Sequence, residues 1–513
     1  MTAGELGVKT GILSEVIKEI SDPQNNEHPR IYLSNTKGII LPDLSIGADL
    51  TKIKSLSSNS NLCSVGMKSI GKAFQIDHQQ AVKLGLNVTD DIKKHIRPYL
   101  NGRDFAHKSR NIYLIDLFNI EIDVVQKRFP AIYQYLLNYA KPEREQNRNK
   151  IFKKFWWIIG HPRQQFRKAT QNLSRYIVTL ETSKHRFWGF LPVNVAPDST
   201  LVTFAFDDAF ILGVLSSQIH IFWALASGGR LGVGNDPRYN KTRCFDPFPF
   251  PDPSAELKQE IRELGERLDS HRKQVQAAHP EVTITAMYNR LEKMRRVEPF
   301  TDADREFNNK ALISTLKQIH DDLDQAVFRA YGWEDLIPLW QKVYGDFVSL
   351  PKGGAEGGGM GDLGFDVSAQ PNGGSDLKEQ LEQTILQRLV DLNAERAEEE
   401  RNGFVRWLRP EYQAPDQVIT QKVIEGIGVE EETEEVIAPP EQQKFPTKLK
   451  DQLATIRDLL RTQGGEWTET QIIAQFKGKI KTGAVQNCLE ILEDLGIILS
   501  HSEAQTKRYY ASI

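Results

Sequence analysis

The chain has 513 residues, 40% of them hydrophobic and 26% charged, enough for real cores in two to four domains at roughly 150 residues each. Lys and Arg number 65 against 68 Asp and Glu, a net charge of -3, so no global basic signal marks a nucleic-acid protein and charge has to be read by region. The three cysteines, Cys63, Cys244 and Cys488, stand far apart with no C-x-x-C pair, which argues against a disulfide frame or structural zinc site and for a reducing compartment.

The opening MTAGELGVKTGILSEVIKEI lacks the basic flank and apolar run of a signal peptide, and no apolar stretch reaches the roughly 20 residues of a membrane span. A cytoplasmic protein without membrane contact is expected. Short strand-like pieces (Arg30–Leu33, Gly38–Leu41) alternate with turns at Asp22-Pro23, Pro42-Asp43 and Asn59–Asn61. Asp123–Lys141 predicts a helix, with Val124, Phe129, Ile132, Tyr135, Leu136 and Tyr139 at spacings of three and four. Phe204–Ala226, containing ILGVLSSQIHIFWALA, predicts another, and its His220 reads as a core histidine because no second ligand stands at metal spacing. Residues 254–333 predict a helical pair or bundle with one stripe at Leu257, Ile261, Leu264 and Leu268 and another at Leu312, Leu316, Ile319, Leu323 and Val327. Gly353–Gly374 reads as a flexible linker, a helix follows around Leu377–Glu400, and the acidic, proline-bearing Glu425–Gln443 reads as a second, solvated linker. In the tail, Leu449, Leu453, Ile456 and Leu459–Leu460 line one helix, Thr468 caps a short second one, and Val485, Leu489, Leu492 and Leu495 line a third that Gly496 ends. With strands at Ile497–Ser500 and Arg508–Ala511 this is the winged-helix plan.

The strongest local charge feature is Lys141–Arg175, which holds Lys141, Arg144, Arg148, Lys150, Lys153, Lys154, Arg163, Arg167, Lys168 and Arg175 against only Glu143 and Glu145. Aromatic residues, among them Trp156 and Trp157, are interleaved. The pattern fits either phosphate contacts or a solvated face over a buried tryptophan pair. Arg175 and Arg186 lie beside aromatics in a strand-rich section, where each could read guanine or make a structural ion pair. Gly228–Pro251 reads GGRLGVGNDPRYNKTRCFDPFPFP. Its glycines bring backbone close to a neighbour, Asn235 and Asp236 can address a base edge or cap the turn before Pro237, and the proline-aromatic run that follows is stiff.

The blocks IRPYLNGRDF (96–105), KPEREQNRNK with KKFWWIIGHPR (141–163), RYIVTLETSKHRF (175–187), LGVLSSQIHIFWALASGGRLGVGNDPRYNKTRCFDPFPFP (212–251), FRAYGW (328–333) and LVDLNAERAEEE with VRWLRPEYQ (389–413) resemble, in order, those of large adenine-specific DNA methyltransferases of type IIG and IIL restriction–modification systems. The resemblance implies an α+β chain. It comprises a core-docking or remnant methyltransferase region (1–95), a mixed α/β DNA target-recognition domain (96–253), a helical region (254–350), a Gly-rich linker (351–376), a helix with the WLRPEYQ segment (377–424), an acidic linker (425–444) and a winged-helix-like domain (445–513). The loop between Arg230 and Tyr239 then corresponds to one that carries base-reading side chains, Asn235 and Asp236 with Arg238 beside them. The candidate DNA-binding set is Lys153, Lys154, Arg163, Arg167, Lys168, Arg175, Arg186, Arg230, Asn235, Asp236, Arg238, Tyr239 and Lys241, and the partner is double-stranded DNA.

In that family S-adenosylmethionine binds at a glycine-rich strand-to-helix turn, and an N/D/S-P-P-Y/F loop clamps the flipped adenine. No such tetrapeptide occurs in the sequence, and neither Gly228–Gly234 nor Gly353–Gly361 is expected to follow a strand and open a helix. No catalytic, cofactor-binding or metal-ligating residue is therefore expected in this chain; the cofactor would serve a missing or partner catalytic chain. The alternative is a non-enzymatic DNA-binding or scaffold protein working through the tail, where Lys477, Lys479, Lys481, Lys507 and Arg508 cluster.

Overall fold

The computed structural model describes residues 10–22, 25–39, 47–231, 236–344, 373–415 and 443–446, and in the tail 452–453, 455–457, 459–460, 467–473, 476–477, 482–494, 498–503 and 506–511. The chain is α+β and divides into two compact units, residues 1–424 and 425–513. In the first, β1 (Thr10–Asp22) and β2 (Asn25–Ile39) form an antiparallel hairpin, so the separate short strands expected near residues 30 and 38 are one long strand; Leu41, Pro23 and the Pro42-Asp43 turn lie outside the described residues.

Two four-stranded sheets follow. One has the order β3 (Cys63–Val65), β10 (Leu201–Phe204), β7 (Arg175–Leu180), β8 (Trp188–Pro192), all antiparallel. The other runs β4 (Gln75–Asp77), β6 (Ile112–Ile115), β5 (Ile96–Leu100), β9 (Ala196–Pro197), with the last pair parallel. Successive side chains of a strand face opposite ways, and the first sheet uses both faces. Tyr176, Val178, Leu191 and Leu201 enter one core, whereas Ile177, Trp188, Phe190, Val202 and Phe204 enter the other. This is why RYIVTL and LVTF are apolar almost without alternation.

The expected boundary at 95/96 does not separate domains, because Cys63–Val65 pairs with Leu201–Phe204 and Gln75–Asp77 with Ile112–Leu114. The helices Ala255–Ala278, Ile313–Ala330 and Gly373–Arg401 likewise share the core of Phe204, Phe245 and Phe248. Three expected helices are interrupted. Pro130 starts a new helix, splitting the first into Ile122–Arg128 and Pro130–Glu145 and leaving Tyr139 exposed. The stretch from Phe204 is strand, then helices Ala209–Ser216 and Gln218–Ser227 bent by 63° at Ser217. Leu312 takes a left-handed φ of 48° between two helices and is exposed, so it leaves the stripe that Leu316, Ile319, Leu323 and Val327 form. No single helix among the described residues is long and apolar enough to cross a membrane.

In the second unit, Val485, Cys488, Leu489 and Leu492 of the helix Thr482–Asp494 pack with Ile456, Leu460, Ile472, Ile498 and Tyr509. The antiparallel strands Ile498–Glu503 and Thr506–Ala511 extend both expected tail strands, with Trp467–Thr468 added at the edge. Leu449, Leu495, Gly496, Lys479 and Lys481 lie outside the described residues, as do Gly353–Asn372 and residues 425–442 of the two expected linkers.

The helices Ala209–Ser216 and Ala255–Ala278 cross at two glycines. A Cβ on Gly265 would lie 2.3 Å from the Ala209 carbonyl oxygen, and one on Gly213 would lie 2.8 Å from Ile261 Cγ2 and 3.0 Å from its carbonyl oxygen. Backbone cannot yield as a side chain can, so Gly265→Ala is expected to push the helices apart at a cost of about 1–3 kcal/mol. Thermal unfolding should register this as a midpoint lowered by several degrees, whereas Gly332→Ala, where a Cβ meets nothing within 4 Å but φ is +69°, tests backbone strain alone.

Candidate nucleic-acid interface

The segment after the helix Gln218–Ser227 turns back on itself. Gly228 caps that helix, and a Cβ there would lie 2.5 Å from Ala224 O and 2.6 Å from Arg238 O, so only glycine allows the returning strand this close. β11 (Gly229–Leu231) and β12 (Asp236–Arg238) form an antiparallel ribbon in the register Gly229↔Arg238, Arg230↔Pro237, Leu231↔Asp236. Arg230 and Leu231 are exposed at its end and Asp236 is half-buried; the expected base-reading Asn235 lies, with residues 232–234, outside the described residues.

The ribbon is braced from the side by residues 180–186. Arg186 is buried, and its Nη1 donates to Leu180 O (2.6 Å) while Nη2 donates to Pro237 O (2.6 Å) and Ser183 O (3.2 Å). Ser183 N donates to Pro237 O, Tyr239 N donates to Glu181 O, and the Arg238 guanidinium meets Glu181 Oε1 at 2.7 and 3.0 Å. Burial pushes the Arg186 guanidinium down to about 10, still charged at neutral pH. Below the ribbon Tyr239 is buried and hydrogen-bonds His220 Nε2 (3.0 Å), with Trp188 and Phe204 edge-on to its ring. Phe245, Phe248 and Phe250 of the proline-aromatic run stack edge to face. Asn59 Nδ2 holds the carbonyls of Phe245 (2.9 Å), Asp246 (3.1 Å) and Phe248 (2.8 Å).

Arg186 and Tyr239 therefore serve the fold, which corrects the expectation that they reach DNA. The same holds for Arg175, which ion-pairs with Glu266, donates to Asp207 O and lies 3.7 Å from the Phe190 ring centroid. Arg167 is tied to Asp116 and Pro162 O, Arg163 Nε donates to Gly66 O (2.9 Å), and Arg144 is buried between Phe74 and Phe152. A guanidinium satisfies several carbonyls at once, and these arginines are spent that way. The lysines are not: Lys153 and Lys154, on the short helix Lys150–Lys154, and Lys168 are exposed, while Lys241 faces Asp246 at 3.5 Å. Glu181, Ser183 and Asn59 were not anticipated as parts of this region, since their partners are remote in sequence.

For S-adenosylmethionine, Gly228 and Gly229 have the reverse of the required frame, helix before and strand after, and Gly353–Gly361 lies outside the described residues. No step through that cofactor is assigned to these residues. Among the described residues no His, Cys, Asp and Glu group could hold a metal ion.

Residues 51–252, which contain both sheets and the ribbon, match the family model "MmeI, target recognition domain". DNA methyltransferase A of Bacillus subtilis (strain 168) is 28% identical over 201 residues, 38% of this chain and 19% of that protein. The solved type IIL restriction–modification enzyme MmeI, determined in complex with DNA, aligns at a TM-score of 0.48 and 15% identity over 76% of this chain and 46% of its own. The chain thus spans about a fifth of the curated relative and under half of the solved one.

His220 is fully buried, and burial lowers its pKa to about 3 from 6.5. Between those values the unfolded chain takes up a proton that the native ring refuses, so stability present at neutral pH falls as pH drops below 6.5 and levels off near 3. For His220→Gln this loss, about 2 kcal/mol by pH 5, is expected to vanish. Urea unfolding of both proteins from pH 7 to pH 4.5 checks it: a stability difference constant with pH would refute it.

Proposed function

We propose that this chain, whose residues 51–252 match the MmeI target recognition domain, reads DNA sequence for an adenine-specific methyltransferase of a restriction–modification system. The single observation that carries the reading is that the matched span contains a braced two-stranded ribbon, Gly229–Leu231 with Asp236–Arg238. A ribbon of that width enters the major groove of B-DNA, where base edges differ in donors and acceptors. Asn235 and Asp236 address bases from the tip, Arg230 and Arg238 flank them, and Lys153, Lys154 and Lys168 meet phosphates. Methyl transfer belongs to a catalytic core outside these residues, in the same polypeptide or another, and S-adenosylmethionine serves that core.

Selection of bound duplexes from a random pool is expected to return one enriched site. Replacing Lys153, Lys154 and Lys168 by alanine should weaken all duplexes alike and flatten the plot of log affinity against log salt by roughly 0.9 per lost contact. Replacing Asn235 and Asp236 should instead cost about 1–3 kcal/mol at single positions of the site. An unenriched pool would sink the reading, and an unchanged preference in the Asn235/Asp236 double variant would remove the tip from it.

A further inference from the structure

At the end of the β7–β8 ladder remote from the ribbon lies a depression of about 290 Å³, bordered by Lys93, Lys94, Arg97, Arg167, Gln171 and Asn194. Beneath it the buried Asp116 carboxylate accepts from the half-buried Arg97 Nη1 (3.0 Å) and Arg167 Nη2 (2.9 Å). Against the cost of burial, the two guanidiniums hold Asp116 below its ordinary value, so it stays ionised and one carboxylate serves two cations. Arg97 is also fixed by donating to Asn194 O and Val193 O. At the rim Lys93 pairs with Asp90 in an exposed pair, Asp91 is turned to Arg128, and Lys94 is exposed. Four cations against Asp116 and Asp90 leave two positive charges in excess.

We propose that this depression is a second DNA-backbone site, taking a phosphodiester outside the base pairs that the ribbon addresses. Beside the apolar surface of Met67, Phe166 and Val193, a half-buried pair of guanidiniums with exposed lysines above it offers the donors and charge that a singly charged oxyanion takes. Arg175 pairs with Pro192 at this end of the ladder, while Glu181 and Thr182 meet the ribbon at the other. The six residues of β7 span about 17–20 Å, roughly six phosphates along one DNA strand. A duplex longer than about six base pairs is long enough to reach both ends. The inference rests on the proposed reading of DNA.

The test uses the full chain with its selected duplex, and Lys93→Ala/Lys94→Ala so that the floor, and with it the fold, is left intact. Affinity is expected to fall about tenfold with a salt dependence flatter by roughly 0.9 per lost contact and an unchanged sequence preference. Lys93→Arg/Lys94→Arg should restore both. In duplexes carrying one neutral methylphosphonate at a time, a flanking position should weaken the parent protein and be silent in the alanine variant. If the parent binds its site and the alanine variant matches it in affinity and salt slope, the second site is refuted while the reading of DNA stands. If the parent enriches no duplex, that reading fails and the second site with it. Binding of inorganic phosphate at Lys94 with unaltered duplex affinity would make it a small-anion site and equally overturn the proposal.

Discussion

One buried guanidinium decides where the ribbon points. Arg186 gathers the carbonyls of Leu180, Ser183 and Pro237, so the end of β7, the loop after it and the returning strand of the ribbon become one body. Hydrogen bonds to a charged donor in a dehydrated site are stronger than neutral ones. The brace fixes the root of the ribbon, the part on which the precision of any group it carries depends. The Arg238–Glu181 pair and the bond from Tyr239 N to Glu181 O repeat the same attachment one residue further on, so the brace does not depend on a single contact.

Below that root the structure is organised by the sheet with cores on both faces. Because Tyr176 and Val178 go one way and Ile177 the other, a change in either core is transmitted to the strand whose end carries the brace. Asn59 fixes the proline-aromatic run by its carbonyls, and Asn393 Nδ2 binds Lys54 O (2.8 Å) and Pro247 O (2.6 Å), so the helix Gly373–Arg401 holds the same corner from outside. Arg409, donating to Ala169 O and Ala205 O, extends this fastening to the WLRPEYQ block. That block is held against residues 169–205 by these bonds.

Much of this was legible in the sequence where the signal is local. The glycine-rich turn and the stiff FPFP run marked the place where the chain turns back over a packed aromatic corner, His220 read as a core residue, and of the stripe at Leu257, Ile261, Leu264 and Leu268 the last three are buried. Failures came where the decision is non-local. Nothing in CSV at 63–65 announces pairing with residues 201–204, so a domain boundary was drawn through a sheet. Leu312 fits the helical period yet caps a helix in a left-handed conformation, because the period cannot see a break that tertiary packing imposes.

The basic run shows why composition alone misjudges a surface. Lysine and arginine count equally in a net charge, but a guanidinium has five donors in a plane and is less strongly hydrated than an ammonium, so folding draws arginines inward to carbonyls and carboxylates. Arg144, Arg167 and Arg175 took that course, and Lys153, Lys154 and Lys168 stayed in water. Arg97 and Arg167 nevertheless share the one Asp116 carboxylate, so a net positive charge is left fixed at that point. A surface made this way has fixed charge beneath and adaptable charge above, which suits a backbone whose spacing is regular but whose sequence varies. The ribbon is held differently, by backbone carbonyls gathered on Arg186, which sets its direction.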